Sequence, residues 1–399
     1  MVLRVAVTGA RGFLGTHLCR ALRKMDLISV LTEIDRNGWN NEAFRDTMMS
    51  ADVVFHLAGV NRADTEEEFY RGNVQLTQDV CAAMVRELRT GELPPLLVYA
   101  SSKRAREDTH YGKTKFRAEQ HISAAVSAGY IMADIVRLPN LFGPGARPHY
   151  NSFVTTCFYS AANGKPFKAD ENNDIELAHV SDAVDMFISC MMDYLALYKR
   201  MPEHVDAARK KDAIILYLLG NTVEADEVVK LITQMRDAPK GGHLPDMESD
   251  FIRKMYATYL SYLPESCLAH ALEVQRDHRG SLATIMSSPH MGNVFVSTTN
   301  PGYARGGHYH TRKVERFIVL KGTAKVVMKN IYTWKETAYD LTGDSPTSLE
   351  IPTHTAHWLQ NTGNDELVVL FWSSEPYDAS DADTFMFKGD ERDAIQNEA

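Results

Sequence analysis

The sequence predicts two domains of different fold class, an α/β domain with a doubly wound parallel sheet followed by an all-β barrel. Up to about Leu141, short apolar runs alternate with helical segments, an order typical of a parallel sheet with helices on both faces. After Pro264, the apolar runs are separated only by Gly, Asn, Asp and Pro turns, an order typical of a sandwich or barrel. The 399 residues also exceed what one core usually holds. We therefore predict domains over residues 1–263 and 264–387, followed by a polar tail over 388–399.

Apolar runs place the individual elements along the chain. The strands of the first sheet are predicted at residues 3–7, 28–34, 53–57, 96–100 and 131–138. A helix is expected over 16–24, directly after the first strand and a glycine-rich loop. Residues 142–263, with an apolar run at 214–220 and a helical segment at 225–235, predict a smaller mixed lobe that completes this domain. Barrel strands are predicted at 294–297, 317–320, 324–328 and 367–372.

Composition excludes several classes of protein. A formal net charge of -9 argues against nucleic acid and anionic membranes as partners. The five cysteines are scattered and form no C-x-x-C pair, which favours free thiols in a reducing cytosol over a disulfide framework. The N-terminus has no secretory signal pattern, and no apolar run reaches the roughly 20 residues needed to cross a bilayer. We expect a cytoplasmic protein.

The first strand runs into a glycine-rich loop, Thr8-Gly9-Ala10-Arg11-Gly12-Phe13-Leu14-Gly15, that opens a helix. Glycines at this point allow a tight turn and bring the backbone close to a pyrophosphate at the helix N-terminus. The context of strand, loop and helix therefore predicts a dinucleotide site.

The end of the second strand bears on which nicotinamide cofactor binds. Asp35 would bind the adenosine ribose hydroxyls, whereas Arg36 would meet a 2′-phosphate. Arg11 in the glycine loop favours NADPH, although Asp35 and Arg36 can also be read as solvated turn residues.

Tyr111 and Lys115 are four residues apart, so they lie on one face of a helix. An ammonium beside a phenol favours the phenolate and lowers the pKa of the tyrosine from ~10. Such a tyrosine can exchange a proton with a carbonyl oxygen while a nicotinamide supplies hydride, and a serine from Ser101-Ser102 can donate a second hydrogen bond. Taken alone, a Y-x-x-x-K pair is usually a surface helix pair; the glycine loop and the serine pair favour the catalytic interpretation.

These residues resemble the extended short-chain dehydrogenase/reductases, of Rossmann fold, that act on nucleotide sugars. Residues 137–144 are similar to the family's loop behind the nicotinamide, and 179–182 to its substrate-side motif. The resemblance implies that Ser102, Tyr111 and Lys115 are catalytic. It implies cofactor contacts from Gly9, Arg11, Gly12, Phe13, Leu14, Gly15, Arg36, Leu57, Ala58, Gly59, Asn73, Tyr111, Lys115 and Leu138. It implies substrate contacts from Asn61, Arg62, Ser102, Asn140, Asn151 and His179.

A second chemistry is predicted in the barrel by the spacing G-x5-H-x-H-x4-E-x6-G, which begins at Gly302 and is typical of cupins. His308 and His310 point to the same face of a strand, where Glu315 can join them around a divalent metal. His357 supplies a fourth ligand, and zinc suits such an N/O site. The alternative is a metal-free barrel with buried, hydrogen-bonded histidines, as in cupin sugar epimerases of the rhamnose pathway.

Two further features belong to this barrel. Residues 277–280 resemble the D-x-R-G element of epimerase-type cupins, so Arg279 is expected to bind a substrate diphosphate. His354 stands where cupins usually carry glycine, and the acid–base groups stay open among the histidines, Tyr303 and Tyr309.

A reductase followed by a cupin resembles the CapF-type bifunctional enzymes of capsular polysaccharide synthesis. The resemblance implies that the cupin epimerises C3 of a UDP-linked 4-keto-6-deoxy-N-acetylhexosamine, and that the reductase then reduces C4 with NADPH. The product would be UDP-2-acetamido-2,6-dideoxy-L-talose, a precursor of UDP-N-acetyl-L-fucosamine, and the enzyme would be a homodimer. Two alternatives remain, a plain 4-reductase with a structural, dimerising cupin and a nucleotide-sugar-binding regulatory protein.

Overall fold

A computed structural model describes residues 2–35, 38–39, 41–88, 93–169, 172–199, 212–238 and 242–388. The chain divides into two compact units, residues 1–232 with 257–262 and residues 233–256 with 263–399. Backbone hydrogen bonds tie Gly242 and Leu244 to Ser287, which joins the segment 233–256 to the second unit. The predicted boundary between residues 263 and 264 stays a prediction, and residues 389–399 of the predicted tail lie outside the described residues.

The first unit contains a six-stranded parallel sheet and a small three-stranded sheet. Its strands are β1 Leu3–Thr8, β2 Ile28–Ile34, β3 Val53–His56, β4 Leu96–Ser102, β5 Met132–Leu138, β6 Asn140–Phe142, β7 Asp174–His179, β8 Ile214–Tyr217 and β9 Asn221–Glu224. The large sheet has the order β2-β1-β3-β4-β5-β8, and β6-β7-β9 form the small one. Every pair in the large sheet is parallel, which confirms the predicted doubly wound domain.

Helices cover both faces of the large sheet. The helices of the described residues are α1 Phe13–Leu22, α2 Glu42–Ser50, α3 Glu66–Phe69, α4 Leu76–Ala83, α5 His110–Ser127, α6 Phe153–Ala162, α7 Val180–Lys199, α8 Ala225–Asp237 and α9 Asp250–Leu260. One face packs against α1 and α7 through residues such as Leu18 and Phe187. The other packs against α2, α4 and α5 through residues such as Met48 and Ile122. Consecutive strand residues belong to opposite cores because their side chains alternate across the sheet.

The second unit is antiparallel and closes around its own core. Its strands are β10 Val274–Asp277, β11 Gly280–Ser288, β12 Gly292–Thr299, β13 Ala304–Tyr309, β14 Glu315–Lys321, β15 Thr323–Asn330, β16 Glu336–Thr342, β17 Ser348–Ile351, β18 Thr355–Asn361, β19 Leu367–Ser373 and β20 Phe385–Met386. They form sheets β10-β11-β12-β19-β14-β17 and β16-β15-β18-β13-β20. Buried apolar residues from both sheets, among them Val319, Val326 and Val369, form one cluster. The predicted all-β domain is confirmed.

The first helix begins three residues earlier than predicted. Gly12 is its N-cap with an extended backbone, so the helix starts at Phe13 instead of Thr16. The glycines that suggested a longer loop therefore lie partly within the first helical turn. Among the helices of the described ranges, none is long and apolar enough to cross a membrane.

Candidate active site and metal site

The glycine loop forms a closely packed turn at the N-terminus of α1. Gly9 adopts a φ of +71°, and a Cβ there would lie 2.7 Å from the Ala58 backbone nitrogen. A Cβ on Gly15 would lie 2.2 Å from the Gly9 carbonyl oxygen. The Gly12 N-cap makes no side-chain hydrogen bond, so the N–H groups of the first turn face the loop without a capping side chain. This arrangement fits the diphosphate of a dinucleotide.

Arg11 extends from this loop to the end of β2. Its guanidinium contacts the Asp35 carboxylate at 2.9 Å, while the Arg11 side chain stays 81% exposed. The pair brings together two of the three residues predicted to select the cofactor. The third, Arg36, lies outside the described residues.

Ser102, Tyr111 and Lys115 all line one cleft of about 1370 Å³. Ser102 ends β4 and caps the short 3-10 helix Lys103–Arg106, and Thr109 caps α5 by accepting from the Gly112 N–H. These two caps fix the turn that brings Tyr111 near Ser102. Burial raises the pKa of Tyr111 above its usual value, and a hydrogen bond with Ser102 opposes that rise.

Lys115 is buried beneath the tyrosine. Its ammonium donates to the Tyr99 hydroxyl at 3.2 Å and to the Ala100 carbonyl at 2.8 Å. Burial lowers the pKa of Lys115 to about 8, and the charge of Glu119 opposes this. The expectation that Lys115 lowers the pKa of Tyr111 is therefore not met here, because desolvation of the phenol dominates.

The cleft contains most of the residues predicted for cofactor and substrate. Those that line it are Arg11, Gly12, Phe13, Leu14, Leu57, Gly59, Asn61, Ser102, Tyr111, Lys115, Leu138, Asn140 and Asn151. Sequence reasoning missed Lys103, Arg104 and Arg147, which add positive charge to the same lining. Lys103 directly follows the serine pair and contacts Glu176 of β7 at 2.5 Å. The position of Lys103 directly after Ser102 in the sequence could have indicated that it lines the cleft. Nothing in the sequence indicates that it pairs with Glu176.

Three residues that were predicted to contact cofactor or substrate do not line the cleft and instead form hydrogen bonds with other parts of the protein. Asn73 is 1% exposed, and its amide exchanges hydrogen bonds with the Val60 backbone at 2.9 and 2.8 Å. That Asn73 touches the cofactor stays a prediction; its side chain supports the loop that contains Val60. The ring of His179 contacts Ser181 at 2.8 Å, and Arg62 donates to the Tyr150 carbonyl at 2.9 Å.

In the second unit, four predicted ligands meet at one point. The candidate ligand atoms of His308, His310, Glu315 and His357 all lie within 4.8 Å of one another. His308 and His357 face each other across the β13–β18 pair, while Glu315 begins β14. The Nε2 atoms of His310 and His357 are each 3.3 Å from Oε2 of Glu315.

The hydrogen bonds behind these ligands favour a cation between them. Nδ1 of His310 donates to the Asp383 carbonyl at 2.6 Å, and Nδ1 of His357 to the Thr355 carbonyl at 3.1 Å. In the neutral rings, both Nε2 lone pairs then face the Glu315 carboxylate. Nε2 of His310 is buried and has no hydrogen bond among the described residues. Lone pairs and a carboxylate oriented towards one point fit a divalent metal ion.

Protonation states agree with this donor set. Burial, and then the imidazoles of His357 and His310, lower the pKa of His308 to about 4, so this ring is neutral. Burial opposes ionisation of Glu315, and its pKa falls well below its usual range only when His310 and His357 present N–H groups to its carboxylate. A metal ion between them would supply that positive charge in place of those protons. A carboxylate with neutral imidazoles is the form that binds a metal.

Asp383 organises the cluster and was missed by sequence reasoning. Its carboxylate accepts from the backbone N–H groups of Thr311, Arg312 and Lys313, at 3.1, 2.9 and 2.9 Å. These hydrogen bonds hold the turn between β13 and β14, and thereby His310 and Glu315. No local pattern marks this residue, since it lies 73 positions from His310.

Strand register and backbone conformation place further barrel residues relative to the histidine cluster. Strand register places Asn293 and Ser373 on the inner face with Glu315, and the Asn293 side-chain oxygen is buried with no hydrogen bond in the described part of the chain. Tyr309 alternates to the outer face and stacks on Phe385, so it is not placed with the histidines. His354 adopts a φ of 57°, the conformation that explains why glycine is usual there.

Arg279 forms an ion pair with Asp277 at the surface of the barrel. Its guanidinium contacts Asp277 at 3.0 and 2.6 Å, and Arg305 lies 3.7 Å from the same carboxylate. Asp277 thus positions two cations, of which sequence reasoning found only Arg279.

Comparisons with known proteins match both the N-terminal and the C-terminal part of the chain. A family model described as "Polysaccharide biosynthesis C-terminal domain" matches residues 275–385, and the NAD dependent epimerase/dehydratase family matches residues 5–199. The UDP-2-acetamido-2,6-beta-L-arabino-hexul-4-ose reductase of Pseudomonas aeruginosa is 32% identical over 385 residues, which span 96% of this chain and 98% of that protein. The chain belongs to the family of this reductase.

Two further proteins show over how much of the chain the similarity extends. The crystal structure of the capsular polysaccharide assembling protein CapF from Staphylococcus aureus has a TM-score of 0.78 and 27% identity, covering 96% of this chain and 99% of CapF. The CapF-type resemblance is thereby confirmed over both domains. A ceramide reductase of Caulobacter vibrioides is 28% identical over 211 residues, which span 48% of this chain and 62% of that protein.

Proposed function

We propose that this protein is a bifunctional nucleotide-sugar enzyme. Its cupin domain epimerises C3 of a UDP-2-acetamido-2,6-dideoxy-4-hexulose, and its N-terminal domain then reduces the C4 ketone with NADPH to give UDP-2-acetamido-2,6-dideoxy-L-talose. The observation that carries the proposal is one chain with two sites, the Ser102–Tyr111–Lys115 cleft and the cluster of three histidines with Glu315. The Pseudomonas aeruginosa relative, named as a reductase of a UDP-linked 4-ketose, supports the substrate class.

The reductase residues each have a defined task. The glycine loop would hold the diphosphate of a nicotinamide cofactor, which would supply the hydride for the ketone carbon. Ser102 donates a hydrogen bond to the ketone oxygen, and Tyr111 transfers its proton to the same oxygen. The raised pKa of Tyr111 keeps this proton on the phenol until it is needed. Lys115 holds a positive charge behind the phenol and stabilises the anion left after transfer.

NADPH is proposed over NADH because of Arg11. Its exposed guanidinium offsets the charge of Asp35, which would otherwise repel a 2′-phosphate. We expect Arg11→Ala to lower kcat/KM for NADPH roughly 10-fold or more while changing the value for NADH much less. A preference for NADH in the unmodified enzyme would refute the NADPH assignment.

The second site would act on the carbon next to the same ketone. A metal held by His308, His310, Glu315 and His357, zinc in our proposal, would polarise the ketone and acidify the C3 proton. The C4 ketone serves both reactions, so one intermediate connects them. Removal of the C3 proton from one face and its return to the other inverts this centre.

A second candidate function is a plain 4-reductase whose cupin is structural and dimerising. The four protein ligands favour it, because structural zinc sites are usually closed by four protein donors whereas catalytic sites keep a position open. In this case the metal would stabilise the barrel without touching substrate.

One experiment separates the two candidates. The enzyme is incubated with a UDP-4-keto-6-deoxy-N-acetylhexosamine and NADPH in heavy water, and the product is analysed by mass spectrometry and NMR. Deuterium at an inverted C3 supports both activities. Reduced product without deuterium at C3 leaves the plain reductase, and failure to oxidise NADPH contradicts both. Five free cysteines agree with a cytoplasmic, reducing location for this chemistry, and gel filtration tests the proposed homodimer.

A further inference from the structure

A buried ion pair lies directly beneath the catalytic helix of the first unit. Arg137 of β5 contacts Glu119 of α5 through two bonds, Nε to Oε1 at 2.9 Å and Nη2 to Oε2 at 2.5 Å. The two side chains are 3% and 4% exposed. Removing two charges from water costs several kcal/mol for each ion, and replacing such a pair by apolar residues is often neutral or stabilising. Stability alone is therefore a weak reason for this pair.

The pair connects the elements that carry the reductase site. Ser101, the neighbour of Ser102, donates to Oε1 of Glu119 at 2.5 Å. Arg137 also donates to the Tyr217 hydroxyl at 2.6 Å. Ser101, Arg137 and Tyr217 are directly paired across β4, β5 and β8. One carboxylate thus fixes the end of β4 against the helix that carries Tyr111.

Glu119 also shares a helix face with the catalytic pair. It follows Lys115 by four residues and Tyr111 by eight, so the three side chains lie along one side of α5. The charge of Glu119 acts on Lys115 against the effect of burial.

We propose that Glu119, held by Arg137 and Ser101, is a positioning residue that acts on the reaction through Lys115, one turn earlier on the same face of α5. This inference rests on the reductase function proposed above. It assigns the Glu119–Arg137 pair an electrostatic role in that reaction, beyond support of the sheet.

Several other titratable groups lie around Lys115, and their charge states decide how strongly Glu119 acts on it. The Tyr99 hydroxyl on β4 accepts a hydrogen bond from the Lys115 ammonium at 3.2 Å, and Tyr111 lies one turn earlier on α5. His56 of β3 stacks on the Tyr99 ring, and its pKa falls to about 3 through burial and the charge of Lys115. His56 is thus neutral at working pH, which leaves Glu119 as the anion that counters the desolvation of Lys115.

The test follows Lys115 in the cofactor-free protein and in the reaction. Lysine labelled with ¹³C at the ε position is titrated by NMR, and the Lys115 signal is assigned by its loss in Lys115→Met. The pH profile of kcat/KM for NADPH-dependent reduction is recorded for the same proteins. Glu119→Gln is expected to move both the Lys115 titration and the alkaline limb down by about one pH unit, because an opposing charge is removed.

Arg137→Lys is the matched control. It breaks the two-bond fork and the Tyr217 contact but leaves Glu119 charged, so reduction and thermal stability fall while the Lys115 titration stays at its original position. If Glu119→Gln does not fold, the double variant Glu119→Gln/Arg137→Met removes both charges together and is expected to show a smaller downward shift, because loss of the Arg137 cation offsets part of the loss of the Glu119 anion.

The outcomes separate this inference from the function on which it rests. An unchanged Lys115 titration in Glu119→Gln, or an equal shift in Arg137→Lys, overturns the inference. Absence of NADPH oxidation by the unmodified enzyme contradicts the proposed function, and the NMR titration still decides the role of Glu119.

Discussion

The two units treat buried charge in opposite ways. In the first unit, Lys115 is surrounded mainly by neutral donors and acceptors, so burial dominates and its pKa falls to about 8. In the second unit, Glu315 is buried too, but the imidazoles of His310 and His357 outweigh burial and lower its pKa. Burial by itself therefore does not decide the charge state of a site. The partners within hydrogen-bonding distance decide it, and each site has the state that its chemistry needs.

The largest effect should follow from removing the proton donor of the first site. Tyr111→Phe is expected to lower the kcat of reduction by roughly 10²–10⁴-fold, because general acid catalysis contributes about that much. Hydrogen exchange at C3 in heavy water should continue, since the barrel is unchanged. NADPH oxidation and NMR measure the two reactions. Tyr130→Phe, an exposed tyrosine after α5, is the control. Loss of both reactions in Tyr111→Phe would contradict two independent sites.

The next effect concerns the metal cluster. Glu315→Gln removes the one negative ligand, so the proposed metal should be lost and C3 exchange with it, whereas reduction of an already epimerised substrate should persist. Elemental analysis of the purified variant and deuterium incorporation provide the readouts. Glu350→Gln is the control, because this residue pairs with Arg316 on the exposed side of β17. Full metal content in Glu315→Gln would remove the glutamate from the ligand set.

A smaller effect is expected one step away from the ligands. Asp383→Ala removes the acceptor for three backbone N–H groups of the turn that carries Glu315, so metal affinity should fall roughly 10- to 100-fold. Competition with a chromophoric chelator measures this affinity. If Asp383→Ala binds metal as tightly as the original protein, the ligands are positioned by the barrel strands alone.

The sequence could predict those parts of the two sites that short-range periodicity encodes. His308 and His310 share a strand face, and Tyr111 and Lys115 share a helix face, so spacing alone brings each pair together. Asp383 and the partners of Arg137 could not be found in this way, because contacts between residues far apart in the sequence bring them to these sites. Nor could spacing predict that the Asn73 amide exchanges hydrogen bonds with the Val60 backbone.

The smallest expected effect concerns a buried carboxyl group whose partners do not offset the rise in pKa that burial causes. Burial raises the pKa of Asp134 on β5 to about 6; a hydrogen bond from Cys190 opposes the rise, and the charge of Asp193 adds to it. Because the folded pKa exceeds the unfolded value of ~3.9, the folded state holds the proton more tightly, and stability falls as pH rises between these values. Asp134→Asn should therefore stabilise the protein by ~1 kcal/mol at pH 8, with the gain shrinking towards pH 4.

Urea unfolding of the first unit at several pH values measures this gain. Asp26→Asn, an exposed aspartate of the same unit, controls for the change in net charge. A gain that is constant with pH would mean that Asp134 has the same pKa in the folded and unfolded states, and the contrast between the two units would then be confined to Lys115.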